Sequence, residues 1–272
     1  MLRVQSLCID IAMSDGPPLR VVDGISFDLA EGETLGVVGE SGSGKTMLAL
    51  AVMRLLPATA HPSGKILLGD DDLQTLSERR MCDIRGRRIG MIFQEPMTAL
   101  NPAQRVGTQI AEGLRLHSDI SRAEARGEAL RLLERVRIPD ARRRIDCFPH
   151  ELSGGQRQRI GIAIALALRP GLLIADEPTT ALDVTVQKDI LDILDELVAD
   201  LKMSLIFISH DIGVIARIAD RTLVMRRGKL IEQGPTVQVL RHPSAEYTRT
   251  LLAAMPRRAR GSFAQGAGEQ RP

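Results

Sequence analysis

The sequence predicts an α/β fold with a mainly parallel sheet, and three observations carry that expectation. Residues 35–38, 89–92, 172–175 and 205–208 form short, near-continuous apolar runs. Strands covered by helices on both faces need that pattern, because neither face meets water. Helical patterns lie between the runs: Ile190, Leu191, Leu194, Leu197, Val198 and Leu201 recur with helical spacing, and Asp192, Asp195 and Glu196 fall on the other side. Third, a glycine-rich segment, Gly39-Glu40-Ser41-Gly42-Ser43-Gly44-Lys45-Thr46, stands between the apolar run 35–38 and a helical stretch at 47–56. Strand, glycine loop and helix in that order are one unit of an α/β domain.

The remaining elements read as follows. Residues 2–11 and 20–29 alternate roughly, and Arg227-Gly228 joins 223–225 to 230–232 as a hairpin. These are expected to form a small antiparallel sheet beside the main one, chiefly an N-terminal β subdomain. Residues from about 97 to 158 lack buried strands and read as a helical subdomain, clearest at 123–136. From Pro256 to Pro272 the chain is rich in Arg, Gly and Gln with little to bury, so a disordered, solvated tail follows a folded domain spanning 1–255. The cluster Arg257-Arg258-Ala259-Arg260 is the one part of that tail that could touch anionic lipid.

Composition excludes several classes. A hydrophobic share of 44% over 272 residues is enough for a substantial core. A net charge of +2 gives no reason to expect nucleic acid as a partner. Cys8, Cys82 and Cys147 are scattered without a Cys-x-x-Cys pair, which argues against a zinc site or disulfide framework and for a reducing compartment. No basic, apolar and cleavable leader is visible. The most apolar stretch, 160–168, is stopped by Arg169-Pro170, far short of the roughly 20 residues that a membrane span needs. The expectation is a soluble chain that reaches a membrane only through partners.

The glycine loop is a phosphate-binding loop. Its glycines let successive N–H groups converge on phosphate oxygens at the positive end of the following helix. Lys45 would reach the β- and γ-phosphates, and Thr46 would hold Mg²⁺. A second centre is Asp176-Glu177, directly after the apolar run 172–175, at the strand end where open α/β sheets bind ligands. Asp176 would help hold the Mg²⁺ shell, and Glu177 would polarise an attacking water.

Gln94, Leu152-Ser153-Gly154-Gly155-Gln156, Asp176-Glu177, Asp183 and His210 occur in one order along the chain. In that order they resemble the motifs of ATP-binding-cassette (ABC) ATPases over about residues 20–255. The resemblance implies a P-loop NTPase (RecA-like) core with an inserted α-helical subdomain, ATP and Mg²⁺ as cofactors, and head-to-tail dimers. Nucleotide on Lys45 of one subunit would be capped by Ser153, Gly154, Gly155 and Gln156 of the other. Ser153 precedes a helical run, so its hydroxyl and the glycine N–H groups are suited to a γ-phosphate. By the same resemblance Gln94 contacts Mg²⁺ or water and the membrane subunit, His210 contacts the γ-phosphate, and Asp183 links the two sites.

The runs Phe93-Gln94-Glu95-Pro96-Met97-Thr98-Ala99-Leu100-Asn101-Pro102 and Pro178-Thr179-Thr180-Ala181-Leu182-Asp183-Val184-Thr185-Val186-Gln187 look like the oligopeptide, dipeptide and nickel importer branch. So does His242-Pro243 followed by Tyr247-Thr248-Arg249 and Leu251-Leu252-Ala253-Ala254-Met255-Pro256. This implies an importer ATPase on the cytoplasmic face of the inner membrane, with peptide cargo and nickel or a metal chelate as the alternative. Its implied partners are a second, identical or homologous ATPase, two permeases and an extracytoplasmic solute-binding protein. A soluble ABC ATPase acting on DNA or ribosomes is a remote alternative, since neither long coiled coils nor a second cassette is seen. Two departures matter. No cysteine follows Cys147, so the iron–sulfur cluster of many branch members is not expected. The stretch Ile9-Asp10-Ile11-Ala12-Met13 lacks the family's adenine-stacking aromatic, and an aliphatic contact from Ile11 or Met13 is expected instead.

Overall fold

The computed structural model describes residues 1–94, 100–180 and 182–254. The expected tail from Pro256 onward, the run 95–99 and Ala181 lie outside the described residues. β1 (Leu2–Ile11) and β2 (Leu19–Leu29) come first, followed by β3 (Thr34–Val38), which is buried at every residue. The glycine loop leads from β3 into α1 (Lys45–Met53). Next are β4 (Ala60–Leu68), the two-residue β5 (Asp71–Asp72), α2 (Glu78–Ile84) and β6 (Ile89–Ile92). Then α3 (Val106–His117), α4 (Arg122–Arg135) and α5 (Ala141–Arg144) lead, after a 3-10 turn at Pro149–Glu151, to α6 (Gly154–Leu166). β7 (Leu172–Asp176), α7 (Val184–Leu201), β8 (Ser204–Ser209) and α8 (Ile212–Ile218) follow. The last elements are β9 (Arg221–Arg226), β10 (Lys229–Pro235), α9 (Thr236–Arg241) and α10 (Glu246–Ala253).

The chain divides into two compact units. One comprises Met1–Leu29, Thr34–Asp70 and the described residues from Phe207 onward. In it, β1 pairs antiparallel with β2 and with β4, and Leu2, Val4, Leu7 and Ile9 of β1 are buried. β3 runs parallel to β9, Leu35 beside Arg221 and Val38 beside Val224, and β10 returns antiparallel to β9. Two expectations change here. The hairpin across Arg227-Gly228 is not part of the small antiparallel sheet, because Thr222–Met225 are buried on both faces and β9 needs cover on each side. β4 was not legible, since His61-Pro62-Ser63-Gly64 reads as a turn. Its pairing is set by β1, with Pro62 opposite Ile9 and Ile66 opposite Val4.

The other unit comprises Ala30–Glu33 and Asp71–Ile206. β6 lies parallel to β7, pairing Ile89 with Leu172 and Ile92 with Ala175. The described residues from 100 to 166 contain helices and turns and no strand. α4 begins with a reciprocal cap between Ser121 and Glu124 and buries Ala125, Ala129, Leu132 and Leu133. Arg126 grips Asp146 with two hydrogen bonds of 2.9 and 2.8 Å, and that guanidinium holds the Asp146 carboxyl below its ordinary range. No helix among the described residues is long and apolar enough to cross a membrane.

α10 is tied down from β10. The Glu232 carboxylate accepts from the Ser244 N–H at 2.7 Å, the Ser244 hydroxyl at 2.8 Å and the Ala245 N–H at 3.1 Å. Burial works against ionisation there, but the Thr248 side chain and then these donors outweigh it and lower the Glu232 pKa. A carboxyl depressed in the folded state contributes stability above its unfolded pKa and loses it as pH falls through the folded value. Glu232→Gln is therefore expected to lower the melting temperature at neutral pH, and the gap from wild type should close as pH falls below 4.5. Parallel thermal melts across that range check this, and a gap independent of pH would refute the ionic anchor.

Candidate functional site

The glycine loop is built around one buried ammonium. Lys45 is the first residue of α1 and only 4% exposed. Its Nζ donates to the Gly39 carbonyl at 2.8 Å and the Glu40 carbonyl at 3.0 Å, with Ser43 Oγ at 3.5 Å. The backbone closes the ring, Ser43 N–H donating to the Glu40 carbonyl and Gly228 N–H to the Ser43 carbonyl. Two glycines make this turn possible. A Cβ at Gly39 would stand 2.2 Å from the Met225 carbonyl oxygen, and one at Gly44, φ +98°, would stand 2.6 Å from that of Val21. Glu40, Ser41, Gly42 and Thr46 are exposed on the loop and first turn. The first-turn N–H groups and the Thr46 hydroxyl thus lie beside a fixed positive charge, a geometry suited to polyphosphate.

His210 follows β8 and is exposed, next to Asp211, whose carboxylate caps α8 by accepting from the Gly213 N–H at 2.7 Å. The stretch expected near an adenine divides by burial. Ile9 is fully buried and Asp10 is held by Arg20 at 2.9 and 3.0 Å, which lowers its pKa. Ile11 is half-buried and Met13 is 49% exposed. These two are the apolar side chains that the stretch offers a base.

The acidic pair ends β7. Asp176 is 1% exposed, while Glu177 adopts a left-handed φ of 45°, unusual for a residue with a Cβ. Glu177 Oε2 accepts from Thr180 Oγ1 at 2.9 Å and from Gln94 Nε2 at 3.4 Å. Gln94 and Glu177, 83 residues apart, are therefore brought together. Thr180 was not among the expected site residues, though it lies within the run that carried the resemblance.

Ser153 is the N-cap of α6. It accepts from the Gln156 N–H at 3.3 Å, and its own N–H donates to Gln156 Oε1 at 3.2 Å. Arg144 donates to the same Oε1 at 2.5 Å, a support for Gln156 that no spacing in the sequence signalled. Ser153 is exposed and Gly154 and Gly155 partly so, leaving the helix's first N–H groups within reach of an anion. Asp183 stands exposed at the N-terminus of α7. α7 also explains Gly155, because a Cβ there would meet Val186 Cγ1 at 2.6 Å. The Asp183 segment and the Ser153 segment are thus packed on one another.

That contact sets a size limit. Gly155→Ala is expected to destabilise by about 1–3 kcal/mol through overpacking, despite the better helix propensity of alanine. Adding Val186→Ala should recover most of the loss in urea unfolding. If the double variant is no more stable than Gly155→Ala alone, the close approach is not what requires glycine.

The ABC transporter family matches residues 22–180. A peptidoglycan transport ATP-binding protein of Agrobacterium fabrum is 52% identical over 260 residues, which cover 94% of this chain and 47% of that protein. An oligopeptide transport ATP-binding protein of Bacillus subtilis is 48% identical over 258 residues, covering 94% of this chain and 72% of that one. The chain thus spans about half the length of the first relative and nearly three quarters of the second. Among solved structures, a dimeric ATP-binding cassette in a post-hydrolysis state with ADP and Pi superposes with a TM-score of 0.77. It is 27% identical, and the match covers 87% of this chain and 99% of that one. The chain belongs to the ABC transporter family.

Proposed function

We propose that this chain is the ATP-binding, ATP-hydrolysing subunit of an importer for peptides, working at the cytoplasmic face of the inner membrane. The observation that carries the nucleotide reading is the buried Lys45 ammonium, held by Gly39 and Glu40 carbonyls at the mouth of an N–H-rich loop. The positive charge at that mouth attracts an incoming polyphosphate. The kinship with proteins of peptidoglycan and oligopeptide transport supports a peptide-type cargo over nickel or a metal chelate. Two permeases, a second ATPase chain and a solute-binding protein complete the proposed assembly.

The residues have separate tasks. Lys45 and the loop N–H groups bind the β- and γ-phosphates, and Ile11 and Met13 give the base an apolar contact. Thr46 and Asp176 offer hard oxygen donors of the kind Mg²⁺ takes, so the donor chemistry fits that ion. Mg²⁺, bound with the nucleotide, supplies neutralisation of phosphate charge. Glu177 accepts hydrogen bonds from Thr180 and Gln94 and is the carboxylate suited to polarise a water. His210 donates to the γ-phosphate. Ser153, Gly154, Gly155 and Gln156 of a second chain close the site, with Asp183 beside them. Little covalent work remains for the protein, since phosphoryl transfer is governed by position and charge.

Two experiments test this. Glu177→Gln is expected to keep MgATP binding while steady-state hydrolysis falls roughly 10²- to 10⁴-fold, the usual range for losing a general base. Near-normal turnover with the partner proteins present would remove Glu177 from that role. Sharing of sites is tested by mixing Lys45→Ala chains with Ser153→Arg chains, or by placing the two lesions in the two partners of a hetero-pair. A shared arrangement leaves one of two sites intact, so ATP-dependent closure, read by cross-linking, should return in the mixture. Confirmed mixed pairs that never close would overturn the shared site.

A further inference from the structure

The unit that contains α4, α6 and α7 holds a cavity that the proposed ATPase chemistry does not use. It has a volume of about 160 Å³ and lies where the C-terminal ends of those three helices come together. Its apolar wall is made by Leu132, Val136, Leu166, Leu197 and Leu201. A dry cavity of about 150 Å³ with walls of this kind takes up benzene, so the space suits a leucine or phenylalanine side chain. The rim carries both signs of charge, with Glu128 beside Arg131, Arg135 and Arg169. The Glu128 carboxylate lies 2.6 Å from Arg131 and a longer 3.6 Å from Arg169, and Arg135 is tied to Asp200 at 3.0 Å. Three guanidinium groups thus meet two carboxylates, and the last carbonyls of three helices add partial negative charge. A ligand carrying one charge, of either sign, would meet its like at this rim. A zwitterion finds a partner for each of its charges.

We propose that this cavity is a binding site for a free α-amino acid with an apolar side chain, of the size of leucine or phenylalanine. The side chain fills the space between α4, α6 and α7, and its burial supplies most of the affinity. The ammonium takes the Glu128 carboxylate in place of Arg169, whose side chain is 69% exposed and whose contact there is the longer one. Exposed ion pairs contribute little, so this exchange costs little. The released Arg169 guanidinium turns to the ligand carboxylate, which its paired donors fit. α6 and α7 carry Ser153 and Asp183 at their other ends, so the occupant bridges the two helices that present those segments. The binding itself does not depend on the nucleotide reading.

The test is calorimetric titration of the purified chain with L-leucine and L-phenylalanine, beside analogues that each lack one part. 3-Phenylpropionate has no ammonium, phenethylamine no carboxylate, and glycine no apolar side chain. Both amino acids are expected to bind with a Kd at or below about 1 mM. Each singly charged analogue should bind about tenfold more weakly, the usual effect of losing a hydrogen bond to a charged group, and glycine should not bind measurably. Glu128→Gln should erase the advantage of phenylalanine over 3-phenylpropionate, and Arg169→Gln its advantage over phenethylamine. Leu201→Trp, which fills the cavity from a half-buried position, should abolish binding of both amino acids. A wild-type chain that binds neither amino acid overturns the proposal. So does a singly charged analogue that binds as tightly as phenylalanine, or undiminished binding to Leu201→Trp. The analogue comparison uses the wild-type chain alone, so it decides the matter even where a variant fails to fold.

Discussion

A buried ammonium is the constraint on which the candidate site depends. Removing a charged amine from water costs several kcal/mol unless its donors are met. Lys45 meets that demand with carbonyls of the loop that precedes it, so the loop has to curl back on itself. The curl in turn forbids a Cβ at Gly39 and Gly44, where neighbouring strands press carbonyl oxygens against the turn. Those strands hold their places because β3 is buried throughout and β9 pairs parallel to it. A single lysine thereby links the composition of the loop, the packing of the sheet and the charge offered to a ligand.

The acidic end of β7 follows a different logic. Asp176 completes the buried strand, whereas Glu177 turns into a left-handed conformation that costs energy and that Thr180 and Gln94 help to hold. Adjacent carboxylates given different surroundings are fit for different work, one as a fixed oxygen donor and the other as a hydrogen-bonding group near a reacting water. The Ser153 segment shows comparable preparation. Its reciprocal cap with Gln156, reinforced by Arg144, fixes the start of α6 before any partner arrives. Rigidity of that kind lowers the ordering cost of association.

Regions remote in sequence converge on these segments. Tyr247 meets Glu40 across 207 residues and Gln94 meets Glu177 across 83. Their hydrogen bonds are long and individually modest. Their consequence lies in orientation, since one holds the Glu177 carboxylate and the other the Glu40 backbone. The His242-to-Pro256 run, read from the sequence only as a mark of kinship, thus contains a side chain, Tyr247, that touches the phosphate loop at the Glu40 N–H.

Much was legible in the sequence because local chemistry left few alternatives. Doubly buried strands had to be apolar, and an ammonium at a helix start needed glycines before it. The strands β3, β6, β7 and β8 and the loop residues Gly39 to Thr46 followed from that reading. Tertiary structure decided what pairing and close approach decide. Pro62 and Gly64 disguised β4 until β1 supplied its hydrogen-bond partners, and the 223–232 hairpin joined β3 because its first strand is buried on both faces. Gly155 is explained by Val186, Gln156 by Arg144 and Tyr247 by Glu40. The sequence determined which groups carry charge and which stretches must be buried. Which of those groups meet depends on contacts between distant segments, and these have no period or spacing in one dimension.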